Sequence, residues 1–68
     1  MKKYADAVKH YTNSLEYDRN LHSYTKRGEA YMYMKEYVKA YADVNVVLIL
    51  NPGNVLASYV RGMSYVYF

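Results

Sequence analysis

The chain has 68 residues, a net charge of +3, 53% hydrophobic residues, 11 tyrosines and no cysteine. That length allows one small fold, which buries only about 60% of its unfolded surface. Without cysteine it has neither disulfides nor thiolate metal sites to staple it. The composition is too apolar and too aromatic for a disordered chain.

The longest unbroken apolar runs, such as Val46 to Leu50, are five residues, far short of the roughly 18 needed to span a membrane. Lys2 and Lys3 lead into an amphipathic stretch rather than an apolar segment. No signal peptide is expected, and a cytoplasmic location is favoured. Of the nine basic residues, eight fall before residue 40, but Asp6, Glu16, Asp18, Glu29 and Glu36 are interspersed among them. That mixing argues against the one-sided basic face of a nucleic-acid domain. From Ala40 onward only Asp43 and Arg61 are charged. A helix there lacks a polar face of its own, so this half is expected to be core or to be covered by another chain.

Four helices are read in chain order. In the first, Tyr4, Ala7, Val8, Tyr11 and Leu15 recur at three- and four-residue spacing. Asn20 is the expected N-cap of the second, with Tyr24, Gly28 and Tyr31 on one stripe. The third carries Tyr37, Ala40, Tyr41, Val44, Val47 and Leu48. It stops at Asn51-Pro52-Gly53, where proline lacks an amide and glycine takes positive φ at little cost. Asn54 caps the fourth, followed by Val55, Tyr59, Gly62 and Val66. The β-branched window from Val44 to Leu50 would also suit a buried strand; its length and its repeat match favour helix.

The sequence also repeats itself. At an offset of 34, Asn20/Asn54, Arg27/Arg61, Gly28/Gly62, Tyr31/Tyr65 and Tyr33/Tyr67 are identical. At an offset of 33, Lys2/Lys35, Tyr4/Tyr37, Ala7/Ala40 and Leu15/Leu48 are identical. The one-residue difference falls between helices, where length variation is tolerated.

These residues resemble the tetratricopeptide repeat family, a 34-residue helix–turn–helix with an aromatic, a glycine and a tyrosine in its first helix, alanine in its second and proline at its end. Tyr24, Gly28, Tyr31, Ala40 and Pro52 match those positions. The resemblance implies an all-α fold of antiparallel helix–turn–helix hairpins in an α-solenoid of about four helices, forming one segment over 1–68. The second helix of a first repeat occupies 3–17, a complete repeat 21–53, and the first helix of a third 54–68. Gly28 and Ala40 are expected where two helices approach closely. The family commonly has glycine in the turn that Lys35 occupies here. Met34-Lys35-Glu36 contains no breaker, so the second and third helices either close into a hairpin, the favoured reading, or fuse into one long helix that pairs with another copy.

By position, the resemblance implies a groove lined by His22, Thr25, Lys26, Glu29, Met32 and Tyr33 on the second helix and by Leu56, Tyr59, Val60, Met63 and Val66 on the fourth. A protein or peptide partner is expected there, since methionine and tyrosine suit adaptable binding surfaces. A subfamily clamps carboxylate tails with lysine, asparagine and arginine. Lys26 stands here at the asparagine position, and Leu56 and Val60 at the later cationic ones, so such a clamp is not expected. His10 and His22 sit on different helices without ligand spacing, and the carboxylates are scattered. No enzyme, metal or cofactor is expected. Stacked repeats gain stability from their neighbours, and about three are normally needed. Two repeat lengths ending in Tyr65-Val66-Tyr67-Phe68 therefore point to a homo-oligomer through the apolar C-terminal half. Two alternatives stay open: a helical-repeat RNA binder, and an engineered or truncated repeat whose only activity is self-assembly.

Overall fold

The computed structural model describes residues 2–67; Phe68, assigned above to an oligomer-forming end, lies outside them. Two asparagines open two helices with the same bond. Ser23 N donates to Asn20 Oδ1 at 2.8 Å, and Ala57 N donates to Asn54 Oδ1 at 2.9 Å. Each satisfies an amide that the first helical turn leaves without a partner. The helices are α1 (Lys2–Tyr17), α2 (Leu21–Tyr33), α3 (Tyr37–Leu50) and α4 (Val55–Tyr67), and among the described residues there is no strand. The β-branched window from Val44 to Leu50 is thus helical. Burial explains this: Val44 and Val47 are wholly enclosed and Leu48 nearly so, and tertiary packing overrides the local preference.

The turn between α2 and α3 is closed. A single helix over residues 21–50 would be about 45 Å long, whereas the longest extent of the fold is 25 Å. Lys35 makes the break, at φ 63. Lys35 N donates to Met32 O at 3.0 Å and Glu36 N to Tyr31 O at 2.9 Å, the paired bonds of a Schellman ending with a left-handed residue after the cap. The left-handed position after the cap, where glycine is usual, is therefore taken here by a residue with a Cβ. The expectation for Gly53 is corrected. It has no positive φ, and an added Cβ there would meet only Asn51 Oδ1, at 3.8 Å. Proline, rather than glycine, accounts for that stop: α3 ends with Asn51 N donating to Val47 O at 2.7 Å, directly before Pro52.

α2 is the centre of the fold: it packs against α1, α3 and α4, whereas α1 packs on α2 alone. The core holds Met32, Ala40, Val44, Val47, Leu48, Ala57 and Val60. Burying valines such as Val44, Val47 and Val60 contributes roughly 1.5–3 kcal/mol each, as an upper estimate. A Cβ built on Gly28 would lie 2.7 Å from Val44 Cγ1 and 3.4 Å from Ala40 O, so the close approach expected at Gly28 and Ala40 is present. The ring stack of Tyr4 on Tyr33, at 5.0 Å, is repeated by Tyr37 on Tyr67, at 5.5 Å. Both offsets of the sequence repeat are thus expressed as contacts.

The apolar spacing read along α4 falls on its outer face. Val55, Tyr59, Gly62 and Val66 are exposed, and the buried face is Ala57, Val60 and Ser64. α4 meets neighbours only on that side, so the stripe has nothing to pack against. Ser64 Oγ is buried without a hydrogen-bond partner; its repeat equivalent on α2 is Ala30.

Lys35→Gly is expected to raise stability by about 1 kcal/mol, because it relieves a left-handed backbone at a helix end. A chemical denaturation midpoint reads this. Ser64→Ala, which removes an unsatisfied hydroxyl, is expected to stabilise by about 1 kcal/mol as well. The two equivalent glycines are expected to respond with opposite signs. Gly28→Ala overpacks a rigid valine, which costs roughly 1–3 kcal/mol and exceeds a helix-propensity gain of about 1 kcal/mol. Gly62→Ala meets nothing within 4 Å and keeps that gain.

Candidate functional site

Polar residues on three helices converge at Arg27. Its Nε and Nη2 donate to Asp43 Oδ2 and Oδ1, each at 2.7 Å, and its Nη1 donates to Thr12 Oγ1 at 3.3 Å. The guanidinium also lies 5.7 Å from the Tyr24 ring centroid and 5.8 Å from that of Tyr31. Its side chain is 18% exposed and that of Asp43 is 9% exposed. The planar fork of arginine suits a bidentate carboxylate and an aromatic face at once. The hydrogen bonds to Asp43 are the main cause that raises the Arg27 pKa, opposed by burial and assisted by the Asp43 charge. A raised cation pKa gives stability that is complete below the arginine range and lost only on strong alkalinisation. Arg27 therefore adds no pH dependence near neutrality. The pair links α2 to α3 and, through Thr12, to α1. It is a clamp in the structure.

The residues expected to line a groove divide into two clefts. One, of about 310 Å³, lies between α2 and the start of α4, and is lined by Leu21, His22, Thr25, Lys26, Asn54 and Leu56. Its walls are leucines, and Lys26 is their one full charge, so it offers apolar contact beside a cation. The other, of about 170 Å³, lies between α1 and α2, where Lys26, Glu29 and Tyr33 meet Lys3, Tyr4, Ala7 and Tyr11. Lys26 borders both, and its Nζ is 3.4 Å from Glu29 Oε1, a half-exposed pair worth a few tenths of a kcal/mol.

Other expected groove residues lie elsewhere. Met32 and Val60 are buried in the core and present no groove surface, because α2, α3 and α4 close over them. Thr25 borders the first cleft but is only 5% exposed, with its hydroxyl donating to Leu21 O at 2.7 Å. Met63 is half-buried against the core. Tyr59 is 52% exposed and Val66 73%, and both lie outside these clefts. Sequence spacing did not assign Tyr4 and Tyr11 to a cleft, although Tyr4 shares its repeat identity with Tyr37.

Among the described residues no three His, Cys, Asp or Glu side chains gather as a metal site, and no helix is long and apolar enough to cross a membrane. Comparison with family models, with curated proteins and with solved structures finds no match.

Asp43→Ala, which leaves the Arg27 guanidinium partly buried and unpaired, is expected to cost about 3 kcal/mol. Chemical denaturation at neutral pH checks the value. A loss below about 0.5 kcal/mol would show that solvent reaches the pair freely.

Proposed function

We propose that the chain is a protein–protein interaction module of the tetratricopeptide type, without enzymatic activity, and that it holds an extended peptide or a partner's helix against α2 and α4. The observation that carries this reading is the cleft between those helices, with Leu21 and Leu56 as apolar walls and His22 and Lys26 at its edge. Repetition of the asparagine cap and the tyrosine stack at offsets near 34 supports a stacked-repeat architecture. Peptides that combine apolar residues with a carboxylate fit a leucine-walled cleft beside a lysine. Neither cleft offers a second cation in the position a carboxylate-tail clamp needs, since Leu56 and Val60 occupy those places.

Self-association through the C-terminal half is the second part of the proposal. Its support is a patch around the α3–α4 turn, where Ile49 is 74% exposed, Leu50 69% and Val55 83%. Adjacent large apolar residues exposed to this degree mark interaction surfaces.

Titration of the isotopically labelled chain with short acidic–apolar peptides tests the cleft. The expected result is saturable shifts at the amides of His22, Lys26 and Leu56, weakened at least tenfold by Leu56→Glu. Shifts confined to other faces would overturn the reading. Sedimentation equilibrium tests self-association: Ile49→Lys with Leu50→Lys is expected to lower the association constant at least tenfold.

A further inference from the structure

A third cleft, of about 510 Å³, lies between the end of α1, the connection at Arg19 and the first half of α2. It is lined by Thr12, Leu15, Glu16, Arg19, Tyr24 and Arg27, and it shares no lining residue with the two clefts described above. Its charges do not follow from the repeat. Glu16 aligns with Ile49 at an offset of 33, and Arg19 falls where the second copy has Pro52-Gly53. The fold does not use them either. Both are exposed, and neither has an ion pair, with the other or with any further group, among the described residues. Arg27 stands beside them with its fork fixed on Asp43 and Thr12. Those bonds use three of its N–H groups, and a guanidinium has further ones to donate.

We infer that this cleft binds a small zwitterion, a free α-amino acid with an apolar side chain. The ligand carboxylate takes the Arg19 guanidinium, whose planar fork accepts it in two parallel bonds, with Arg27 as the neighbouring cation. The ligand ammonium pairs with Glu16. The ligand side chain rests on Leu15, which is only 8% exposed and forms the floor, and on the Tyr24 ring. Apolar contact with a few placed polar groups that fix orientation is how small-molecule sites are built, and the volume falls in their range.

Charge balance selects this class of ligand. Arg19 and Arg27 are offset by Glu16, which lines the cleft, and by Asp43, which holds Arg27 from α3. The site therefore has a cationic and an anionic pole without net charge. A simple anion would meet Glu16, and a simple cation would meet the arginines; like charges brought together are costly. A ligand that carries both charges on one small body satisfies both poles. A peptide end carries only one of the two, so a free amino acid fits better than a protein terminus. Exposed ion pairs are individually weak, which sets the expected affinity in the millimolar range.

The test adds L-phenylalanine to the full, isotopically labelled chain. Saturable shifts are expected at the amides of Glu16, Arg19 and Tyr24, with those of Lys26 and Leu56 unmoved. N-acetyl-L-phenylalanine, which lacks the ammonium, and L-phenylalanine amide, which lacks the carboxylate, are each expected to bind at least tenfold more weakly. Glu16→Gln and Arg19→Ala are each expected to weaken L-phenylalanine at least tenfold. Both change exposed side chains without ion pairs, so the chain stays folded, and an unchanged denaturation midpoint checks this. Equal binding of the N-acetyl compound, or of inorganic phosphate at the same amides, would make this a plain anion site and overturn the proposal. Binding indifferent to both substitutions, or no saturable shift up to the solubility of the ligand, would overturn it as well. Shifts at Lys26 and Leu56 instead would move the ligand to the α2–α4 cleft, which sinks this proposal and leaves the peptide-binding one standing.

Discussion

The fold depends on how closely α2 can approach α3. At Gly28 the absence of a side chain brings the backbone of α2 against Val44 and the Ala40 carbonyl. That proximity lets the adjacent Arg27 reach Asp43 with both arms of its fork. The two features require each other. A wider separation would break the bidentate geometry and leave two partly buried charges unpaired, and an unpaired buried charge is strongly destabilising. The arginine also draws in Thr12 of α1 and lies between two tyrosine faces. One side chain thus connects three of the four helices, and α2 becomes the element on which the others are arranged.

Around that contact the chain uses the same local devices twice. An asparagine cap opens α2 and α4, and a tyrosine near the start of α1 and of α3 stacks on a tyrosine at the end of the following helix. The copies are not equal in burial. Gly28 and Ala30 are enclosed, whereas Gly62 is exposed and Ser64 is buried without a hydrogen-bond partner. Stacked repeats derive stability from neighbours on both sides, and α4 has neighbours on only one. The exposed aromatic and glycine positions of α4 are consistent with that difference. The α2–α4 cleft presents a different character, with leucine walls and a single lysine charge.

Much of this was legible in the residues alone. Apolar spacing of three and four placed all four helices, asparagine marked the two caps, and the identities at offsets of 33 and 34 include the four tyrosines that the structure stacks in pairs. The Gly28–Ala40 approach was readable because only small residues at those positions allow helices so near. The groove was less legible. Spacing put Met32 and Val60 on a surface, but whether a helical face is open depends on which neighbours cover it, and here α2, α3 and α4 close over those residues. His22, Lys26 and Leu56 line one cleft. Tyr4 and Tyr11 joined a cleft that no spacing rule assigned to them.

The sequence by itself determined the helical periodicity, the cap positions and the repeat register, because each is set by interactions within a few residues or by identity between copies. Only the tertiary structure decided three things. It placed the positive φ on Lys35 rather than on Gly53, since closing α3 onto α2 requires a left-handed residue at that end of α2, while Pro52 already stops α3. It joined Arg27 to Asp43, a pairing across sixteen positions that no local pattern encodes. It also turned the Val55, Tyr59, Gly62 and Val66 stripe of α4 outward, because the side of a helix that becomes core is chosen by the elements packed beside it. A chain that looked short of core by length and composition is therefore organised about one helix, α2, with most of its exposed large apolar side chains on α4 and around the turn before it.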